Sequence, residues 1–244
     1  MRFRHVLAAA AVFVAVWQAV VTLTGQPHFI LPGPFRVAEA LWSNRALIAG
    51  HAAVTMIEVV LGLAIGAALG AATAVQLAIS PRARALLRPV LVFSQAIPVF
   101  ALAPVLTLWF GYGIASKIVM AVLIIYFPVT SAFFDGLMRT PQGFLDMGRV
   151  MGATPATLMW RVRIPAALPA LGSGLRLGAV YAPIGAVIGE WVGASDGLGY
   201  LMLLANGRAK IDLMFAAVIV LGALSVGLYL IIDRLSARMA AGRG

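Results

Sequence analysis

Residues Asp146–Pro169 read DMGRVMGATPATLMWRVRIPAALP, in a chain otherwise dominated by Ala, Leu, Val and Ile. The stretch carries an Asp, a Trp and three arginines around a Gly and a Pro, and apolar sequence then resumes. A short charged interruption between long apolar runs is the pattern of a loop joining two membrane spans. Its local chemistry is helical. Thr154 is placed to cap a helix start, Pro155 suits the first helical position, and Ala156 to Arg163 contains no breaker. Gly152, just ahead, permits a sharp turn, so the stretch is expected to form two short helices across one face of the membrane.

Composition supports the membrane reading. The 244 residues are 62% hydrophobic and 11% charged, with a mean hydropathy of +1.01, against about half apolar and about a quarter charged in ordinary soluble domains. Uncharged runs place six predicted spans at Val6–Leu23, Ala52–Ile79, Pro89–Phe110, Ile118–Phe134, Leu168–Val192 and Leu213–Ile232, each near the roughly 20 residues a bilayer requires. The expected architecture is all-α and polytopic, with residues 1–244 as one transmembrane domain. The first run follows Arg2 and Arg4 in the manner of a signal peptide. It lacks a small-residue cleavage site, however, and is read as a span. Glu58 lies in the second run, which exceeds the bilayer thickness, so its first turns are expected in the interface, with Glu58 in contact with water.

Charge orients the chain. With the N-terminus inside, the inner segments hold Arg2, Arg4, Arg82, Arg84, Arg88, Arg139, Arg149, Arg161, Arg163, Arg234, Arg238 and Arg243, and the outer ones Arg36, Arg45, Lys117, Arg208 and Lys210. Twelve against five satisfies the positive-inside rule and predicts cytoplasmic termini. The net charge of +10 is therefore a topology signal. Scattered between spans, these cations form no basic face for nucleic acid.

Catalytic patterns are absent from the sequence. The chain has no Cys, its three histidines His5, His28 and His51 lack metal-site spacing, and it contains neither a GxSxG elbow nor a phosphate-binding GxxxxGK[ST] loop. No bound cofactor or metal is expected, and any ATP and Mg would be used by another chain.

Asp146, Met147 and Gly148, then Gly152, then Val162, Ile164 and Pro165, resemble the EAA-x3-G-x9-I-x-LP loop of permease subunits of binding-protein-dependent ABC importers. Asp replaces Glu, Met-Gly replaces Ala-Ala, and Val/Ile replaces Ile/Leu. In that family the loop is the coupling helix, seated in a groove of the ATPase. The resemblance implies that Asp146 to Arg163, including Ala153 and Thr154, docks on such a subunit with Gly152 as the turn. Without the resemblance, a solvated charged loop is the simpler reading.

Similarity extends along the chain. LPGPFRVAEAL (Leu31–Leu41), LWFGYGIASK (Leu108–Lys117), FPVTSAFFDGL (Phe127–Leu137) and GEWVGASDGLGYLM (Gly189–Met202) resemble the nitrate, sulfonate, taurine and pyrimidine-precursor branch, and most of all the hydroxymethylpyrimidine permeases. The resemblance implies a type I importer permease fold in a bacterial inner membrane, paired with a second copy. Its implied partners are an ATP-binding subunit, a periplasmic or lipid-anchored binding protein and membrane lipid.

Within the spans, Gly62, Gly66 and Gly70 form a ridge that allows close helix approach, at a packed core or at a dimer face. Candidate path residues are Gln95 and Pro98, Tyr181 near Pro183, and Glu190 with Trp191, the last two reading equally as an interfacial acid beside an aromatic belt. Arg176 is the one cation placed near a span interior. An autonomous channel or secondary transporter would need paired intramembrane carboxylates, and none is visible in the sequence.

Overall fold

The structure is a computed structural model and describes residues 3–241; Arg2 and Arg243 of the charge count lie outside the described residues. Eleven helices follow in order: α1 (Phe3–Thr24), α2 (Pro34–Ser43), α3 (Arg45–Ile79), α4 (Pro81–Ala96), α5 (Val99–Phe110), α6 (Ile114–Met138), α7 (Gln142–Val150), α8 (Pro155–Leu158), α9 (Ile164–Gly193), α10 (Leu198–Gly207) and α11 (Ile211–Ala241). Among the described residues there is no strand.

Helix α6 is the centre, packed along its length between α3 and α9, with α11 against the other side of α9. Ala121, fully buried, shows how tightly. A Cβ on Gly62 of α3 would stand 2.5 Å from the Ala121 Cβ, and a Cβ on Gly185 of α9 would stand 2.8 Å from its Cα. The glycine ridge of α3 thus packs inside the chain, against α6. Val59, Leu63, Ile125, Val129, Ala179, Ala182 and Ala186 complete this core.

Four helical stretches are long and apolar enough to cross a membrane: Arg45–Ile79, Ile114–Met138, Pro155–Gly193 and Ile211–Met239. The third expected span, Pro89–Phe110, is not one helix. It breaks between α4 and α5 with a 99° bend, and counting this pair as one span gives up to five. Ile97 and Pro98 are both extended there. The proline ring excludes the helical conformation at Ile97 and removes a backbone donor, effects that hydropathy does not register. Pro89, Pro104 and Pro128, by contrast, lie inside continuous helices. Helix α1 runs from Phe3 to Thr24 and contributes the apolar stretch Ala8–Thr24 among the described residues.

The fifth expected span also starts differently. Helix α8 does not end in a loop but continues into α9 through a π-helical turn, Met159–Arg163, in which the Ile164 N–H bonds to the Met159 carbonyl. Pro165, in the first turn of α9, has no N–H to give, and the widened turn immediately before it lets the chain pass without a kink.

Candidate functional site

Three regions contain the candidate residues. The first lies at the end of the bundle where α6 gives way to α9. Helices α7 and α8 meet there at a turn centred on Gly152, whose φ of +81° belongs to the left-handed region. Its N–H bonds to the Arg149 carbonyl, and the Ala153 N–H bonds to that of Gly148, both at 2.9 Å. The Thr154 hydroxyl accepts the Thr157 N–H at 3.2 Å, with Pro155 at the first helical position. The sequence-level cap and turn are therefore both present. Gly148 presses on Leu158 so closely that a Cβ would lie 2.6 Å from its Cδ2, which pins the two helices together.

Asp146 pairs with Arg149 at 2.6 Å, both more than half exposed. Around them Met147, Val150, Met151 and Trp160 are also exposed, Val150 at 90%. A groove of about 380 Å³ runs between Leu145, Arg149, Pro155, Trp160 and Arg163. Val162, Ile164 and Pro165 are half-buried where the π turn enters α9. An apolar surface with a few charges at its rim is suited to protein docking.

The second region is a cavity of about 560 Å³ between the broken pair and α6 and α9, lined by Gln95, Val99, Phe127, Pro128, Ser131 and Tyr181 among others. The expected path residues Gln95 and Tyr181 therefore line the same cavity, and Pro98 sits at the bend next to Gln95 and Val99. No charged residue lines this space. Arg176, on α9, is bonded instead to Asp233 of α11 at 3.0 Å.

The third region is at the opposite end of α6 and α9 from α7. Glu190 is 1% exposed, Glu58 2% and Lys117 2%. This corrects three expectations: Glu58 does not meet water, Lys117 is not in an outer loop, and the spans do contain more than one buried carboxylate, Glu58 on α3 and Glu190 on α9. The Lys117 ammonium donates to the carbonyls of Tyr112, Gly113 and Gly193, at 3.0 Å and 2.6 Å for the latter two. It thereby ties the α5–α6 turn to the C-terminus of α9, where a cation also suits the helix dipole.

Glu190 accepts the Thr55 hydroxyl at 2.6 Å and the Gly199 N–H. It does not line the cavity of Gln95 and Tyr181; Trp191 beside it is 46% exposed. Thr55 carries no signal in the sequence, and His51 enters there only as a histidine without metal-site spacing. The available signal was one ionisable residue toward the same end of three spans, namely 58, 117 and 190, since isolated charges at membrane depth seek one another.

Residues 47–241 match the model of the binding-protein-dependent transport system inner membrane component family. The chain belongs to this family. The permease is 52% identical over 233 residues to a probable ABC transporter permease of Haemophilus influenzae, covering 96% of this chain and 95% of that one. It is 39% identical over 230 residues to the riboflavin transport system permease RibX of Chloroflexus aurantiacus (92% and 86% covered). With the formylaminopyrimidine transport permease ThiX of Halalkalibacterium halodurans it shares 37% over 186 residues (76% and 74%).

Its fold matches a chain of the MetNI methionine ABC transporter, solved in inward facing conformations, with a TM-score of 0.62 at 20% identity, covering 84% of this chain and 97% of that one. The permease is thus an ABC importer membrane subunit of the type I fold. The family generally implies an ATP-binding subunit and a substrate-binding protein as partners.

Proposed function

We propose that two copies of this permease form the membrane path of an ATP-driven importer for hydroxymethylpyrimidine or a related thiamine precursor. The carrying observation is the open, uncharged cavity lined by Gln95, Ser131, Tyr181 and Phe127. Such a lining offers hydrogen bonds and a stacking face to a neutral heterocycle, whereas a desolvated sulfonate or nitrate wants a cation or helix N-termini. Arg176 is already engaged by Asp233, and Lys117 by three carbonyls. Relatives named for nitrogen heterocycles, ThiX and RibX, are 37% and 39% identical, and relatives named for taurine and aliphatic sulfonates match at 28–29%. Taurine, another sulfonate or nitrate is the alternative cargo.

In this reading the α7–α8 surface, from Asp146 to Arg163, docks on the ATPase subunit, which binds the ATP and Mg. With Lys117 withdrawn from the outer count the bias is twelve to four, which supports a cytoplasmic location for that surface and both termini in a bacterial inner membrane. The secreted binding protein then approaches the end that carries α10.

Growth tests the cargo. Deleting the gene in a strain unable to make the pyrimidine moiety is expected to abolish growth on low external hydroxymethylpyrimidine and leave growth on taurine as sulfur source unchanged. The reverse pattern refutes the assignment. Native mass spectrometry of the purified complex is expected to find two copies of this chain; one copy beside a different permease would overturn the homodimer.

A further inference from the structure

The first N–H groups of a helix have no intrahelical partner and normally rely on a side chain at the N-cap. Helix α10 cannot use one, because its N-cap is Gly197, at a φ of +105°. Three successive donors are satisfied instead by side chains from two other helices. The Gly197 N–H bonds to His51 Nδ1 at 3.1 Å, the Leu198 N–H to the Thr55 hydroxyl at 2.8 Å, and the Gly199 N–H to the Glu190 carboxylate. Thr55 closes the set by donating to Glu190 Oε1. Helices α3 and α9 therefore jointly cap α10, and the cap exists only while both hold this relative position.

The fit leaves no slack. A Cβ on Gly199 would lie 2.7 Å from Glu190 Oε2, and Leu198 and Glu190 are buried. The groups facing Glu190 are Glu58 and Thr55 from α3, Lys117 from α6 and the backbone of α10. Only the turn before α10 is open: Ser195 and Asp196 are exposed and bond to each other at 2.9 Å.

The geometry assigns to Glu190, together with Thr55 and His51, a positioning role in transport: the three fix the α9–α10 hairpin to the bundle so that the Ser195–Asp196 turn is presented in one orientation to the binding protein. This rests on the importer reading above, since a binding protein must be the visitor. Glu190 is thus a support for the outer docking surface and takes no part in cargo contact.

The test uses the permease–ATPase complex in nanodiscs, with the binding protein encoded beside it. Two measurements are made on Thr55→Val, which keeps the side-chain shape, and on Glu190→Ala with Glu190→Gln as the conservative comparison. Hydrogen exchange of the Gly197 to Gly199 amides is expected to speed up by about tenfold or more in Thr55→Val and Glu190→Ala, the consequence of losing one or more buried hydrogen bonds. The α3 and α9 amides stay protected. The binding-protein concentration giving half-maximal ATP hydrolysis is expected to rise about five- to tenfold, with the saturated and unstimulated rates unchanged. Glu190→Gln, which keeps an acceptor for Gly199, falls between wild type and Glu190→Ala.

Unchanged exchange at these three amides overturns the cap. Faster exchange with an unchanged half-saturation, or a loss confined to the saturated rate, overturns the positioning role. If no binding protein stimulates even the wild type, the importer reading is what fails, and the exchange measurement still decides the cap.

Discussion

Ala121 is squeezed from two sides, and the two contacts respond differently to the same relief. In Gly62→Ala the new methyl meets the Ala121 Cβ at 2.5 Å, while the nearest backbone atoms are 3.7 Å away. In Gly185→Ala it meets the Ala121 Cα at 2.8 Å and N at 3.2 Å. Forcing a methyl into a packed core costs about 1–3 kcal/mol, and a helical glycine costs about 1 kcal/mol relative to Ala. Ala121→Gly removes the atom that blocks position 62 and leaves untouched the backbone that blocks position 185. A double-mutant cycle should therefore give a favourable coupling of about 1–2 kcal/mol for the 62/121 pair and a coupling within about 0.5 kcal/mol of zero for 185/121. Melting of the detergent-solubilised protein reads this directly, at about 2–4 °C per kcal/mol for a chain of this size. Equal couplings for the two pairs, or none for 62/121, would refute the claim that Gly62 and Gly185 meet Ala121 through its side chain and its backbone respectively.

Gly152→Val places a β-branched residue at a φ of +81°, so transport is expected to fall sharply while the protein still inserts and binds lipid; normal transport with a normal yield of ATPase complex rules out the coupling role. Asp146→Lys removes a pair whose members are more than half exposed, so the melting point should move by less than about 2 °C, yet ATPase co-purification should drop. Single cysteines at Ser43 and Ser195 are expected to label from outside intact cells and one at Ala153 only after permeabilisation; external labelling at Ala153 inverts the topology. Lys117→Met strands three carbonyls at about 1–3 kcal/mol each, and a melting point within about 2 °C of wild type would show that the ammonium is not their partner.

The parts of the architecture legible in the sequence were those governed by neighbours in the chain. The Gly152 turn, the Thr154 cap and Pro155 at a helix start all follow from residues within three or four positions of one another, and all are present. Long apolar runs likewise located α3, α6, α9 and α11. Hydropathy failed at Ile97–Pro98 because both residues are apolar, and the bend comes from ring sterics. It also merged what the helix register separates, expecting a loop helix followed by a span where a π turn joins the two. The buried cluster was out of reach for another reason. Glu58, Lys117 and Glu190 are each separated by about sixty residues or more, and only knowledge of which helix faces meet brings them together. Read one at a time, their sequence neighbours point Glu58 to water, Lys117 to a loop, and Glu190 equally to a path or an interfacial belt.

The π turn at Met159–Arg163 has a consequence for phase. An α-helix advances its side chains by about 100° per residue, and a π turn accommodates one residue beyond regular winding. Shortening that turn by a single residue would restore ordinary winding from α8 into α9. It would also rotate everything downstream by roughly a quarter of a revolution with respect to α7. Gly174, Gly178 and Gly185 would swing off α6, and Tyr181 would leave its place opposite Gln95. The extra residue therefore sets the azimuth between the face that α7 and α8 show on one side of the membrane and the face that α9 shows to the cavity. Chain length in this segment is constrained even where residue identity is not, so relatives that keep both surfaces should tolerate substitution of Trp160 or Val162 far more readily than an insertion or deletion beside them.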